Sequence, residues 1–110
     1  GGAGGRAAVT PGDAAVHLRV PASLRTYTGG CSAVDVDLTD LGDKPTLRGL
    51  LDHLAVTHPD LERRIRDEQR RLRRHVNLFL GNDNVRDLSE QDTALAAGVE
   101  VAVMPAVSGG

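Results

Sequence analysis

The group in this sequence best suited to chemistry is the carboxylate of Gly110, which follows a second glycine, Gly109. Neither glycine has a side chain, so the tail can enter a narrow cleft in a partner and leaves its terminal carbonyl unhindered. A carboxylate is ionised at neutral pH and is a poor electrophile, so acyl chemistry at Gly110 needs prior activation. Because the chain shows no machinery for that activation, we expect it to have no catalytic residues and not to be an enzyme.

The tail follows a predicted strand over residues 99–104, in which valines recur at every second position. Pro105 has no N–H to donate to a sheet, so it is expected to end this strand. Residues 108–110 have almost no side chain to bury and are predicted to form a flexible tail. Residues 1–13 are rich in glycine and alanine without any apolar period, and we expect them to be disordered. The folded domain is therefore predicted over 14–107.

Composition excludes several classes of protein. A chain of 110 residues forms one domain at most, and its net charge of -2 gives no overall attraction to nucleic acid or to an anionic membrane. No apolar run is long enough for a signal peptide or a membrane span, and the single cysteine, Cys31, suits a reducing compartment. The histidines lack the spacing of metal ligands. We expect a cytoplasmic protein without a metal or a cofactor.

Upstream of the tail, strand and helix patterns succeed each other. Period-two alternation predicts strands over 15–20, 34–38 and 76–80, and a short strand or edge over 85–88. Leucines at helical spacing predict one clear helix that starts after the N-cap Thr46 and stops near His58, before Pro59. Helical turns are expected at 61–65 and within 89–97. One main helix on a small mixed sheet is a two-layer α+β domain.

Alternation along the third strand directs Phe79 away from the core, and Met104 on the last strand is expected to face the same way. An exposed aromatic residue beside an exposed methionine makes a small apolar patch. Cys31 and the pair Asp35 and Asp37 are expected to be ordinary surface groups, since nothing adjacent in the sequence would activate them.

A segment dense in arginine runs from Arg63 to Arg74 and is interleaved with acidic residues such as Asp67. It has no aromatic residue nearby for stacking on bases, so a solvated loop is favoured over a nucleic-acid site. A basic loop can also steer an acidic partner. A nucleic-acid-binding module that uses Arg63–Arg74 stays an alternative.

Several of these features together resemble one family. They are the predicted hairpin, the single helix, the strand Val76–Leu80, the turn over 82–86, and the ending Val103-Met104-Pro105-Ala106-Val107-Ser108-Gly109-Gly110. Over about residues 14–110 the chain resembles the ubiquitin-like β-grasp sulfur carriers of thiamine, molybdopterin and cysteine biosynthesis. The ending and the long insert before the third strand look most like the actinobacterial cysteine-biosynthesis carrier. The chain departs from the usual pattern after Gly98, where valine stands in place of aspartate.

The resemblance implies a β-grasp fold and a mechanism that depends on other enzymes. An ATP-dependent, E1-like activating enzyme would adenylylate the Gly110 carboxylate, and sulfur would then displace AMP to leave a thiocarboxylate. The acceptor would be held by a pyridoxal-phosphate cysteine synthase or by a thiosugar or cofactor synthase, and a metalloprotease would release the product. ATP is used by the partner, so the carrier itself needs no cofactor. The sequence does not choose among these acceptors, and a ubiquitin-like modifier joined to lysines is an alternative.

The site residues are predicted to have two roles. Docking to a partner is assigned to Phe79, Met104 and Pro105. The segment expected to enter the partner's active site comprises Val107, Ser108, Gly109 and Gly110.

Overall fold

The structure is a computed structural model that describes residues 14–105. The predictions for residues 1–13 and 106–110 lie outside this range. The described strands are β1 (Ala15–Arg19), β2 (Ala33–Asp37), β3 (Val76–Leu80), β4 (Asp83–Asn84) and β5 (Glu100–Pro105). The α-helices are α1 (Leu47–Thr57) and α2 (Pro59–Ile65), and short 3-10 helices lie at Ala22–Thr28, Leu38–Leu41, Val85–Asp87 and Glu90–Asp92.

The strands form one mixed sheet in the order β2-β1-β5-β3-β4. β1 is antiparallel to β2 and parallel to β5, whereas β5 is antiparallel to β3. The last strand in the sequence is thus the central strand of the sheet, held on both sides. The predicted hairpin of β1 and β2 and the two-layer α+β architecture are confirmed.

Helix α1 covers one face of the sheet. The Thr46 hydroxyl oxygen accepts a hydrogen bond from the Gly49 N–H at 3.2 Å, which satisfies one of the unpaired donors of the first turn. His58 follows the last helical residue, so both predicted ends of this helix are confirmed. The leucines at positions 47, 50, 51 and 54 are fully buried. They pack with the inward side chains of the sheet into one aliphatic core.

Helix α2 begins at once, with Pro59 in its first turn, where a missing N–H costs nothing. It buries Leu61 and Ile65 and packs beside α1. After it, a bridge between Arg66 and Leu72 closes a loop, as the sequence predicted for this segment. We call residues 66–75 the insert loop.

One predicted strand is wrong. Residues 85–88 were expected to form a short strand, but Val85–Asp87 is a 3-10 helix and β4 lies just before it, at Asp83–Asn84. The Asn84 side chain accepts a hydrogen bond from the Arg86 N–H at 3.0 Å, which turns the chain out of the ladder. Val85 is fully buried, so its side chain packs into the core from a 3-10 turn and not from a strand.

Within residues 14–105, no helix has both the length and the apolar character needed to cross a bilayer.

Candidate functional site

The candidate site starts where β5 leads into the tail. Val101 and Val103 of this strand are buried in the core, and Pro105, its last described residue, lies opposite Val76 of β3. Val107, Ser108, Gly109 and Gly110 lie outside the described residues, so the assignments of the activated carboxylate and of the threading segment stay predictions. An extended chain advances at most about 3.6 Å per residue, so Gly110 lies within about 18 Å of Pro105. We call Met104 and Pro105, the residues that lead into the tail, the tail root.

Phe79 and Met104 lie on the face of the sheet that the helices leave open. In the pairing of β3 with β5, Phe79 is opposite Ala102 and Met104 is opposite Asn77. The two side chains are therefore diagonal neighbours on one face, at a spacing of about 7–8 Å between Cα atoms. Met104 is 51% exposed, and Phe79 is half-buried and outside the core cluster. The structure places both residues as predicted, but their role in docking, and that of Pro105, stays a prediction.

Two polar side-chain contacts lie beside this apolar patch, on β1 and its neighbours. His17 Nδ1 is 2.7 Å from Asp35 Oδ1, and Arg19 Nη1 is 3.2 Å from Glu100 Oε2. Such exposed pairs contribute at most about 1 kcal/mol to stability. They give the patch a polar rim, which is the usual surrounding of a docking surface.

Asp35 and Asp37 do not act as a carboxylate pair. Asp35 contacts His17, whereas Asp37 caps the next 3-10 helix. Hydrogen bonds from the Thr39 N–H and then from its hydroxyl hold the pKa of the Asp37 carboxyl below its usual range. Both groups are exposed surface groups, as the sequence predicted.

A shallow groove of ≈ 310 Å³ runs along the tail root on the β1 side. It exists because β1 leaves the sheet after Arg19, so the described pairing of β1 with β5 stops at Ala102. Its lining comprises Arg19, Val20, Pro21, Arg25, Glu100, Ala102, Val103 and Met104. The groove joins the apolar patch to an arginine pair, Arg19 and Arg25.

The arginine-rich segment is not the uniformly solvated loop that the sequence predicted. Arg66 is fully buried between α2, α1 and the last 3-10 helix. Its guanidinium donates to Glu62 Oε2 at 2.7 Å, to Asp52 Oδ1 at 2.9 Å and to Gln91 Oε1 at 3.0 Å. Gln91 in turn donates to the carbonyl of Arg70 at 2.8 Å. We call these groups the buried arginine network, which ties the insert loop to both helices.

The other arginines of the segment have varied surroundings. Arg63 Nη2 lies 3.6 Å from Glu68 Oε1, and Arg70 Nη1 lies 3.3 Å from Asp52 Oδ1. The Arg64 guanidinium lies 5.0 Å from the centre of the Tyr27 ring. The sequence reasoning missed this aromatic partner because the packing of the 3-10 helix Ala22–Thr28 on α2 joins residues far apart in the chain.

Arg86 is a further residue that sequence reasoning missed. Its Nη2 donates to the carbonyls of Arg73 and Val76 at 2.8 and 2.9 Å, and its Nε lies 3.3 Å from Asn77 Oδ1. It therefore fixes the turn that enters β3, beside Pro105. No local signal identifies this role, because the carbonyls it binds lie ten or more residues earlier in the chain.

Across the described part of the chain, no group of three or more His, Cys, Asp and Glu side chains could hold a metal ion. Cys31 is an exposed free thiol. Neither observation assigns chemistry to the folded domain.

Comparison with known proteins decides the family. The model of the ThiS family matches residues 18–110, which is most of the chain. The protein belongs to the ThiS family. Sulfur carrier protein CysO of Mycobacterium tuberculosis is 32% identical over 97 residues, a match that covers 86% of this chain and 98% of CysO. The family is one of small carrier proteins rather than of enzymes.

Solved structures agree with this assignment. The crystal structure of Mycobacterium tuberculosis CysO has a TM-score of 0.71 at 31% identity and covers 84% of this chain and 99% of its own. A chain of the Amycolatopsis orientalis BexX/CysO complex has a TM-score of 0.71 at 26% identity, with coverages of 86% and 99%. SAMP1, the small archaeal modifier protein of Haloferax volcanii, has a TM-score of 0.71 at 30% identity, with coverages of 87% and 99%. The ubiquitin-like β-grasp fold is confirmed.

Proposed function

We propose that this ThiS-family protein carries sulfur as a thiocarboxylate at Gly110. An ATP-dependent partner enzyme adenylylates the carboxylate, sulfur replaces AMP, and the thiocarboxylate donates sulfur in a biosynthetic pathway. The observation that carries the proposal is the family match, which extends through Gly110. The geometry supports it, because Pro105 is fixed in the sheet five residues before that glycine.

The chemistry divides between the carrier and its partners. Attack of the carboxylate on ATP forms an acyl adenylate and releases pyrophosphate, which turns a poor electrophile into a good one. A sulfur nucleophile then forms a C–S bond as the C–O bond to AMP breaks. The carrier supplies a slender tail on a rigid strand, which fixes where the reacting carbonyl can be presented.

The open face of the sheet supports a docking role. Phe79 and Met104 form an apolar patch next to the tail root, so a partner that contacts them also receives the tail. We propose that Phe79, Met104 and Pro105 dock the activating enzyme while Val107, Ser108, Gly109 and Gly110 enter its active site. When the folded domain is docked, the few residues that link it to Gly110 restrict where the carboxylate can lie.

The relatives favour one of the possible sulfur acceptors. The resemblance to the cysteine-biosynthesis carriers, with which the likeness to CysO agrees, favours a pyridoxal-phosphate cysteine synthase as the accepting enzyme, with a metalloprotease that releases the product. A thiosugar or cofactor synthase is the alternative acceptor. Incubation of the thiocarboxylated carrier with each purified synthase and its substrate would separate them, because only the true acceptor should consume the thiocarboxylate; with the cysteine synthase the product should stay joined to Gly110 until the metalloprotease is added.

The proposal is tested by intact mass after incubation with the cognate activating enzyme, ATP and sulfide. The native chain should gain the mass difference of one oxygen-to-sulfur exchange, and omission of ATP should prevent that gain. Gly109→Val places a β-branched side chain in the expected channel, so this variant should gain little or nothing. An unchanged native mass with all components present contradicts the proposal.

A second candidate function is that of a ubiquitin-like modifier joined to lysines of other proteins. The observation in its favour is the likeness to the Haloferax volcanii modifier protein. Both functions use the same activated carbonyl, but a lysine amine attacks it in one case and sulfur in the other. Mass spectrometry of cell extract separates them, since a modifier gives isopeptide-linked proteins and a sulfur carrier gives a free thiocarboxylate.

A further inference from the structure

Charge is divided unevenly along this chain. Residues 59–75 contain seven arginines and four acidic residues, although the whole chain has a net charge of -2. The rest of the protein is therefore distinctly acidic. The sheet register shows how this division is arranged in space.

One end of the sheet is acidic. Asp37 lies opposite Ala15 at the start of β1, Asp83 lies opposite Leu80, and Glu100 starts β5. All three carboxylates are on exposed residues, although Glu100 pairs with Arg19 and also lines the groove that extends to Met104. This is the end at which β5 begins, so it is the end farther from the tail root.

The opposite end is basic. Val76 lies opposite Pro105, so Arg73, Arg74 and His75 directly precede the residue that pairs with the tail root. Arg86 holds the turn over 73–76 in place through its two bonds to backbone carbonyls. On the β1 side of the tail root, Arg25 lines the groove that also contains Met104.

Two adjoining clefts extend this basic surface. A cleft of ≈ 380 Å³ is lined by Tyr27, Asp60, Arg63, Arg64 and Arg73. A second, of ≈ 360 Å³, is lined by Asp67, Arg71, Leu72, Arg73, Arg74 and His75. Arg73 belongs to both clefts, so Arg64, Arg71, Arg73 and Arg74 form one continuous surface, whereas Arg25 lines the separate groove beside Met104. We define the basic pole as Arg25, Arg64, Arg71, Arg73 and Arg74.

The guanidinium groups of the basic pole are not held in close ion pairs by the described part of the domain. Among residues 14–105, none of its five guanidinium groups has a carboxylate within the 4.0 Å of an ion pair. The pKa of Asp67 is lowered first by a hydrogen bond from the Arg71 backbone, and also by the charges of Arg71 and Arg73. Asp67 therefore offsets part of the charge of Arg71 and Arg73 without forming an ion pair with either.

The position of the basic pole limits which surface of a partner it can contact. With Gly110 within about 18 Å of Pro105, any enzyme that acts on Gly110 must bring the rim of its active site close to the tail root. The arginines beside Pro105 then face that rim. We propose that the basic pole docks against an acidic protein surface around the tail-receiving site of the activating enzyme.

This inference rests on the proposed function and adds the chemistry of the docking surface to it. Opposite charges on two partners accelerate association, and the acidic end of this carrier would at the same time disfavour approach in the reverse orientation. Steering acts on the encounter rate and is screened by salt. The step of adenylylation within the docked complex does not involve the pole.

The test compares two double variants with the same change in net charge. Arg64→Glu with Arg74→Glu reverses two exposed members of the pole that donate no side-chain hydrogen bond among the described residues, and it removes the contact of Arg64 with the Tyr27 ring. Lys44→Glu with Arg48→Glu is the control with the same change in net charge; it also breaks the exposed pair of Arg48 with Asp92, and Pro45 and Leu47 bond to Leu95 and Thr93, away from the tail root. Thermal unfolding of both variants establishes that each is folded.

The measurement is the rate of thiocarboxylation by the activating enzyme at limiting carrier concentration, at low and high salt. At about 0.05 M salt the pole variant should react about tenfold more slowly than the native chain, and the control within about twofold. At about 0.5 M salt the difference should largely disappear, and the maximal rate at saturating carrier should be unchanged. If the proposed function is wrong, neither the native chain nor either variant forms a thiocarboxylate at any salt concentration. That result differs from a failure of this inference alone, in which the native chain is thiocarboxylated.

Two results would overturn the inference while leaving the proposed function intact. The first is an equal rate for the native chain and the folded pole variant at low salt. The second is equal slowing of the pole variant and the control, which would assign the effect to net charge alone. A pole that instead retains a single-stranded oligonucleotide at about 0.15 M salt, with no effect on the thiocarboxylation rate, would show a nucleic-acid surface.

Discussion

Arg66 and Arg74 stand eight residues apart in one arginine-rich segment, yet their surroundings have almost nothing in common. Arg66 has no exposed surface and donates to three side chains from three different elements. Arg74 is exposed at the turn that enters β3 and has no ion-pair partner among the described residues. The first belongs to the buried arginine network and the second to the basic pole.

The difference teaches that a run of like residues is not one functional unit. A buried guanidinium costs several kcal/mol to desolvate and persists only where carboxylates and hydrogen bonds compensate it. An exposed guanidinium retains its hydration and remains available to a partner. The buried arginine network therefore holds the insert loop against the helices, whereas the exposed arginines of the segment are available to a partner.

The largest expected effect is on stability and comes from the network. Arg66→Met should lower the free energy of unfolding by about 3–5 kcal/mol, because Glu62 is left buried without its partner. The matched variant Arg74→Met should change it by no more than about 0.5 kcal/mol. Urea unfolding of the two variants measures both values, and equal losses would remove the distinction between network and pole.

A second change sharpens this contrast. Arg66→Met combined with Glu62→Gln should recover part of the loss, because the double variant no longer buries an unpaired charge. Simple loss of packing predicts no recovery. The same urea titration decides between the two causes.

The next effect is on binding and concerns the open face of the sheet. Phe79→Ala should weaken binding of the activating enzyme by about 1–2 kcal/mol while the domain stays folded, because this side chain lies outside the core cluster. Its neighbour Leu78 is fully buried, so Leu78→Ala should lower stability by about 2–5 kcal/mol. Calorimetric titration and thermal unfolding of both variants give the comparison. An unfolded Phe79→Ala protein would show that this face contributes to the core.

The smallest effect is a pH dependence within the insert loop. Backbone hydrogen bonds from Arg71 and Gln69 and the neighbouring arginine charges keep the pKa of Asp67 below its usual value. A lowered pKa contributes stability above the unfolded-state value, and that contribution is lost as the pH falls through the folded-state value. Asp67→Asn should therefore be slightly less stable than the native chain at neutral pH. The urea unfolding midpoints of Asp67→Asn and the native chain should converge in strong acid. A difference between the two midpoints that does not change with pH would show that it does not arise from ionised Asp67.

The parts of the fold that were predictable are those set by local periodicity. Alternation placed Phe79 outside and Leu78 inside, and Thr46 with Pro59 marked the ends of α1, because each signal lies within a few residues of its effect. Val85 was assigned to a strand since a single buried valine has the same appearance in a strand and in a turn. The side chain of Asn84, which decides between them, acts through a geometry that alternation does not contain.

The environments of the arginines could not be predicted. Arg66 is satisfied by Asp52 and Gln91, which lie 14 and 25 residues away and meet it only after α1, α2 and the last 3-10 helix have packed. Arg64 meets Tyr27 for a similar reason. Of the candidate site, the facing of Phe79 and Met104 was predictable, but the basic surface around Pro105 required the register of β3 with β5.

The most direct test of the central claim is the intact mass of a variant extended by one residue after Gly110, incubated with the activating enzyme, ATP and sulfide. The added residue moves the carboxylate away from the position at which the partner acts, and misplacement of a reacting group sharply lowers its rate. The native chain should gain one oxygen-to-sulfur exchange, while the extended chain should keep its mass. Thiocarboxylation of the extended chain without prior trimming to Gly110 would contradict the account.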